Sequence, residues 1–456
     1  MANKYFGTDG FRGEVNKTLT PTHAYKIGRF LGRYCQADLS RSEKGGYRPR
    51  ILIGKDTRLS SYMLEYALAS GIVASGADAY MLHVTTTPSV SYVARVDRFD
   101  AAVMITASHN PYYDNGIKIL NSHGEKLDDN ALSLIEDYID GKTSLTLAER
   151  ENIGKIVDYV SGRNRYVGHL ISLAANSYKA LRIGMDFANG SAFMIARSVF
   201  ESLGATVYSI GDSPDGININ KDCGSTHIDA LCRLVRDKKL DMGFAFDGDC
   251  DRCIAVDGTG RVIDGDGIMY ILAKRLKRLG MLSGNTVVCT VMSNSGFVKS
   301  LSGLGIKSVE TDVGDRFVYE MMQKEDFSLG GEQSGHIIIR KYAITGDGIL
   351  TAMMLCEEVC DQKSTLSMLK SGLNIYPQIT RNIPVRDKDR VFSDSSVISA
   401  YESVKKDIAD KGRALLRKSG TEPVVRIMIE SETEELCSCY ADRIRNAIEG
   451  GGHTVD

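Results

Sequence analysis

The chain has 456 residues, enough for about three ordinary domains, and its 43% hydrophobic and 25% charged content is that of a soluble globular protein. A formal charge of −2 favours neither nucleic acid nor an anionic membrane as partner, so an anionic ligand has to be held by local clusters. No run of about 18 apolar residues is present, the opening residues read as no signal peptide, and ten scattered cysteines read as buried, reduced thiols of a cytoplasmic protein.

Along the chain, glycines and strand-like runs align into an internal repeat. The first copy has a strand over 50–54, a helix from about Ser60, a turn at Gly76 and a strand over 77–82. In the second these are a strand over 181–185, a helix from about Ala192, a turn at Gly204 and a strand over 205–208. In the third they are 286–291, a helix from about Ser295, Gly305 and 306–309. Each copy continues into a second helix and a third strand, an alternation that predicts parallel α/β layers.

An unusually polar loop follows each third strand: Thr106-Ala-Ser-His-Asn-Pro111, Asp247-Gly-Asp-Cys-Asp-Arg252 and Gly330-Gly-Glu-Gln-Ser-Gly-His336. Ligands of open α/β sheets gather beyond the carboxyl ends of strands, so the three loops predict three domains facing one cleft. The tail breaks the pattern. It reads as a strand over 379–385, a helix over about 395–409, a strand, a loop, a strand over 424–430 and a helix over about 433–448. Leu436, Tyr440, Ile444 and Ile448 give that helix its apolar stripe, and Gly450 ends it. The predicted fold class is α/β, with three repeated βαβαβ-type mixed-sheet domains plus a smaller α+β C-terminal domain around a central cleft. The expected boundaries are 1–160 for a serine-loop domain, 161–260 for a metal-loop domain, 261–374 for a sugar-loop domain and 375–456 for a phosphate-binding domain.

Asp247, Asp249 and Asp251 alternate directly behind the apolar Met242-Gly-Phe-Ala-Phe246. Three carboxylates in so short a span repel one another unless a cation neutralises them. All-oxygen ligands favour a hard ion, and a set that leaves room for a phosphate oxygen suits magnesium. An EF-hand is excluded, because its sixth position needs Gly and holds Arg252, and its twelfth needs Glu and holds Gly258. The alternative is an acidic surface turn. Ser108 stands among His109, Asn110, Asp114 and Lys118, a crowd able to hold a phosphate and move a proton, although a lone loop serine is also an ordinary turn residue. A hydrolase elbow is absent.

Cys250-Asp-Arg-Cys253 lacks the second pair that a zinc site wants. Arg417-Lys-Ser-Gly-Thr-Glu-Pro423 offers a guanidinium fork, two hydroxyls and close backbone N–H groups to a phosphate, or else is a hairpin with solvated charges. Glu332 and Ser334 on their turn could grip a sugar diol, or form a polar bend.

Together and in this order, these pieces closely resemble the α-D-phosphohexomutase family over nearly the whole chain. The resemblance implies an intramolecular phosphotransferase with Ser108 as phosphoryl carrier and His109, Lys118 and Arg12 beside the transferring group. It implies that Asp247, Asp249 and Asp251 hold Mg2+ with phosphorylated Ser108 as a further ligand. The substrate would be held by Arg252, Glu332, Ser334, His336, Arg417, Ser419, Gly420, Thr421 and Arg426. The opening Phe6-Gly-Thr-Asp-Gly-Phe-Arg-Gly13, the form Glu332-Gln-Ser-Gly-His336 and Val313-Gly-Asp-Arg316 resemble the branch that works on hexosamine phosphates. Glucose and mannose branches usually read Met at Gln333, and Cys250 and Lys418 depart mildly from the family pattern.

The implied reaction interconverts glucosamine 6-phosphate and glucosamine 1-phosphate, with glucosamine 1,6-bisphosphate as intermediate and activator, in amino-sugar metabolism. The implied partner is a small-molecule phosphosugar, with no nucleic acid and no membrane, and a homodimer stays open. The alternatives are a glucose or mannose phosphate mutase of the same family, a phosphatase, and a non-catalytic phosphosugar-binding protein. Which of His109, Lys118 and His336 is the general acid or base also stays open.

Overall fold

A computed structural model describes residues 4–7, 9–37, 47–409, 411–419 and 423–455, so Thr8, Gly420, Thr421 and Glu422 of the predicted motifs lie outside the described residues. The chain divides into two compact units, Met1–Met292 with Val309–Ser371, and Ser293–Ser308 with Gly372–Asp456.

The repeat is real and has one topology. In the first copy, strand Arg50–Lys55 pairs in parallel with Asp78–Val84 on one side and Ala101–Ile105 on the other. Arg182–Asp186 stands likewise between Thr206–Ile210 and Met242–Phe246. Thr286–Thr290 lies between Lys307–Thr311 and Leu329–Gly331. The helices Leu59–Ala74, Ala192–Ser202 and Ser295–Gly303 follow the first strands, as the periodicity predicts. The turns at Gly76, Gly204 and Gly305 have φ of 95°, 97° and 66°, left-handed backbone that a residue without Cβ adopts at no steric cost.

The sheets are mixed, as the predicted fold class has it. Each third strand turns through its polar loop into an antiparallel fourth strand: Asp114–Asn121, Cys253–Asp257 and Ile337–Ile339. All three sheets therefore run fourth, third, first, second, within sheets of seven, five and four strands. The third strands are buried along their whole length, which is why they read as continuous apolar runs. Asp114–Asn121 carries Asn115 and Lys118 among its apolar residues and so reads as part of the loop.

The second unit has a three-stranded antiparallel sheet in the order Gln378–Pro384, Val424–Glu430, Arg413–Lys418, covered by the helices Ser395–Ile408 and Glu434–Gly450. Thr433 caps the last helix by accepting from the Leu436 N–H. Its predicted stripe is partly wrong. Cys437, Ala441, Ile444 and Ile448 are buried and Leu436 is exposed, because the small Cys437 and Ala441 let the helix lie close on the sheet. The helix Ser295–Gly303 packs in this unit too: the Ser295 N–H donates to Glu430 Oε2 at 2.9 Å and Asn294 Nδ2 to the Tyr376 carbonyl at 2.9 Å. Among the described residues no helix is long and apolar enough to cross a membrane, and all ten cysteines are unpaired thiols.

Candidate active site

The three polar loops of the first unit converge. Ser108 is buried with φ of 51°, and its Oγ donates to Asp247 Oδ2 at 2.5 Å. A serine held in left-handed backbone is strained, and such strain persists only where the surroundings over-determine it. His109 Nδ1 lies 3.4 Å from the same hydroxyl. Asp247, Asp249 and Asp251 are buried, with one carboxylate oxygen of each within 4.8 Å of the others. The surface-turn alternative therefore falls.

Lys118, on the antiparallel strand behind the serine loop, reaches into this cluster. Its Nζ donates to Asp249 Oδ2 at 2.8 Å and Asp251 Oδ2 at 3.0 Å, and lies 3.6 Å from Asp9. Burial opposes its charge, but the three carboxylates outweigh burial and hold it well above the usual lysine range. Burial likewise raises the Asp251 carboxyl, yet Lys118 and then His336 bring it well below the usual carboxylate range. Asp247, without such a partner, is pushed well up by burial and by the charges of Asp251 and Asp249. One lysine thus leaves the trio short of positive charge. Asp249 Oδ1 and Asp251 Oδ1 are buried and accept no hydrogen bond among the described residues. Three buried carboxylates with a hydroxyl in contact and two orphaned oxygens fit a hard divalent cation.

The sugar loop meets the cluster through His336, whose Nδ1 is 3.7 Å from Asp251 Oδ1 while its Nε2 accepts the Gly346 N–H at 2.9 Å. Glu332 Oε1 accepts from the Gly314 N–H, and Ser334 is exposed at the turn tip. Gln333 points elsewhere: its Nε2 donates to Asp264 Oδ2, the residue that caps helix Gly265–Arg278. Arg252 donates its backbone N–H to Asp247 Oδ1 at 3.2 Å, and its Nε lies 3.9 Å from Asp251. Arg12, on strand Gly10–Glu14, pairs with Asp9.

Several contributors were not singled out from sequence. Thr87 donates its hydroxyl to Asp249 Oδ2 and its N–H to the Asp249 carbonyl, tying the first repeat to the metal loop of the second. Lys126 bridges Asp9 at 3.1 Å and Asp315 at 2.8 Å. Asp9 stands inside the opening motif, a signal that was available; Thr87 and Lys126 carry none. A cavity of about 230 Å³ opens beside Lys118, Asp251 and His336, with Asp9 and Asp315 also on its wall, whereas Ser108, Arg252 and Glu332 do not line it.

In the second unit, Arg417 and Arg426 are directly opposed in the register of strands Arg413–Lys418 and Val424–Glu430, and both are exposed. Like charges directly opposite on a sheet repel, and an anion between them relieves this. Ser419 is buried; its N–H donates to the Val424 carbonyl, and its carbonyl accepts from Lys388 Nζ. Lys418, the departure after the phosphate arginine, pairs with Asp389.

The chain matches phosphoglucomutase/phosphomannomutase α/β/α domain I over residues 3–146, domain II over 164–260, domain III over 264–376 and the C-terminal domain over 381–447. A phosphoglucosamine mutase of Lachnoclostridium phytofermentans is 53% identical over 99% of each chain. A phosphoglucomutase/phosphomannomutase family protein of Burkholderia thailandensis superposes with a TM-score of 0.79 at 22% identity, covering 99% of this chain and 98% of the other. An Aspergillus fumigatus N-acetylphosphoglucosamine mutase, solved with GlcNAc-6P and magnesium, superposes at 0.64 with 16% identity, over 99% and 96%. Four domain matches in chain order, on a repeated fold whose loops bring a serine against three buried aspartates, place this chain in the phosphoglucomutase/phosphomannomutase family, the α-D-phosphohexomutases.

Proposed function

We propose that the chain interconverts glucosamine 6-phosphate and glucosamine 1-phosphate by way of phosphorylated Ser108 and a bound glucosamine 1,6-bisphosphate. The observation that carries the chemistry is the 2.5 Å contact of Ser108 Oγ with Asp247 Oδ2 inside the buried aspartate cluster. The substrate rests on the relatives, of which the one at 53% identity bears the name phosphoglucosamine mutase. In this reading residues 1–160 supply the phosphoryl carrier, 161–260 the metal loop, 261–374 the sugar loop and 375–456 the phosphate grip.

A sugar hydroxyl attacks phosphorus on Ser108, the bond from phosphorus to Ser108 Oγ breaks, and the phosphoryl group passes to the sugar. His109, with Nδ1 3.4 Å from the serine hydroxyl, is placed to exchange the proton with the transferring oxygen. Lys118 keeps its charge and Arg252 and Arg12 lie near, so negative charge on the moving group meets fixed positive charge in a site shielded from water. Magnesium, held by Asp247, Asp249, Asp251 and the phosphoserine, would neutralise further charge on the transferring oxygens. Glu332, Ser334 and His336 hold sugar hydroxyls, while Arg417, Ser419, Gly420, Thr421 and Arg426 hold the phosphate that is not moving. The bisphosphate then turns, and its other phosphate returns to Ser108.

Support for the cation comes from the orphaned carboxylate oxygens of this chain and from the magnesium in the Aspergillus complex. Gln333, tied to Asp264, acts on specificity by shaping the loop rather than by touching the sugar. The test is a coupled assay with glucosamine, glucose and mannose 6-phosphates side by side. The glucosamine ester should give the highest kcat/KM by at least tenfold. An equal or higher value for mannose 6-phosphate would move the chain to the neutral-sugar branch, and release of inorganic phosphate would make it a phosphatase.

A further inference from the structure

Among the described residues, Arg58 is the largest side chain that the fold buries completely. A guanidinium has five N–H donors in one plane, and here all five are used. Nε donates to Asp56 Oδ2 at 2.7 Å. The other four go to the serine loop: Nη2 to the carbonyls of Ser108 and Asn110, each at 2.9 Å, and Nη1 to those of Asp114, at 2.9 Å, and Pro111. Asp56, also fully buried, accepts from the Arg58 N–H, the Ser61 hydroxyl and the Thr106 hydroxyl. The Thr106 oxygen in turn accepts the Ser108 N–H at 2.9 Å.

Both backbone polar groups of Ser108 therefore lead to one buried ion pair, the carbonyl directly and the N–H through Thr106. A second grip comes from the next repeat: Asn220 Nδ2 donates to the carbonyls of Ser108 at 2.9 Å and Asn110 at 3.1 Å. Gly248, between two of the aspartates, passes so close that a Cβ there would stand 2.5 Å from the Ser108 carbonyl oxygen. The left-handed backbone of Ser108 is what these donors hold in place.

We infer that Arg58, paired with Asp56 and assisted by Asn220, is the positioning residue that sets the Ser108 hydroxyl against the aspartate cluster. No hydrogen bond joins it to the Ser108 hydroxyl or to Asp247, Asp249 or Asp251 among the described residues. Its effect is geometric, and a shift of about 1 Å in a reacting group can cost about 100-fold in rate. The inference rests on Ser108 being the phosphoryl carrier. A merely structural arginine would stabilise the whole repeat, whereas a positioning one stiffens the loop.

Arg58→Lys keeps the charge opposite Asp56 but leaves carbonyls without donors, since an ammonium has three N–H groups and no plane. Hydrogen exchange read by mass spectrometry should quicken in peptides spanning 106–116 and stay at wild-type rates elsewhere in the first unit. Turnover should fall about 100-fold with KM for the sugar phosphate within threefold. Asn220→Ala should move both readings in the same direction by less, and it carries the test alone if Arg58→Lys does not fold. Wild-type exchange in 106–116, wild-type kcat in a loosened loop, or exchange raised throughout the unit would each overturn the inference. Ser108→Ala run alongside separates the two claims. If that variant kept full turnover the phosphoserine reading would fail, and the exchange measurement alone would decide whether Arg58 anchors the loop.

Discussion

The reaction centre of the first unit and the arginine hairpin of the second both handle phosphate in the proposed reaction, yet they are built on opposite principles. Ser108, Lys118 and the three aspartates are buried, and each is held by a partner from a repeat other than its own. Arg417 and Arg426 are exposed and directly opposed in strand register. Removing a charge from water is costly, so a buried cluster must be balanced almost atom by atom. Exposed charges are screened by solvent, so a hairpin can carry two opposed arginines at little cost. The buried centre suits bond making, where geometry decides the rate. The exposed pair suits a grip that has to take hold of a ligand and release it.

The comparison is broken most directly at Ser108. Ser108→Ala should abolish turnover by on the order of 10⁴-fold or more, as loss of a covalent carrier does. Intact mass after treatment with glucosamine 1,6-bisphosphate should show one added phosphoryl group on the wild type and none on the variant. A wild type that turns over fully without ever gaining that mass would end the covalent reading.

The next largest effect tests the buried charge balance. Lys118→Met removes the cation built into the aspartate trio, and stripping one partner from a buried ion pair costs about 3–5 kcal/mol. Denaturant unfolding in chelator should show that loss. Magnesium should then stabilise the variant more than it stabilises the wild type, because binding to the native state alone raises stability by mass action. Equal stability of the two proteins in chelator would mean that the trio is balanced some other way.

Arg417→Lys should cost about 1.5–3 kcal/mol of transition-state stabilisation, the range for hydrogen bonds to charged groups. Lysine keeps the charge and loses the two-pronged contact, and binding energy from the phosphate that stays in place is what orients the reacting end. Phosphorus NMR should show free bisphosphate accumulating relative to wild type. Unchanged turnover and unchanged retention would return the hairpin to solvated charges.

The smallest effect concerns stability. Arg426→Ala removes one member of a directly opposed cross-strand pair, an effect of about 0.2–1 kcal/mol. In phosphate-free buffer, hydrogen exchange in strand Val424–Glu430 should change by no more than that implies. Added inorganic phosphate should protect the wild-type strand and leave the variant unchanged; protection of both alike would place the anion elsewhere.

What the chain reveals without coordinates is local. Its strand runs, its helix starts and the glycine turns at Gly76, Gly204 and Gly305 depend on residues a few positions apart. So do the four motifs that carry the family resemblance. Asp247, Asp249 and Asp251 could be read as a metal loop because alternation behind an apolar strand is visible in six letters. The stripe of the last helix was misjudged by one position at its start, since Leu436 and Cys437 differ in what the sheet admits beneath them rather than in apolar character.

Tertiary structure decided everything that joins distant segments. Only sheet formation turns the strand after each polar loop antiparallel, and that reversal carries Lys118 from a residue near Ser108 into the aspartate trio. Pairing register set Arg417 against Arg426, and nothing in either short segment announces the other. Thr87, Lys126, Arg58 and Asn220 sit in stretches with no motif, and each reaches its partner across a gap of dozens of residues or more. The physical reason is that a buried polar group must find its complement wherever the fold brings one, and sequence distance carries no information about that.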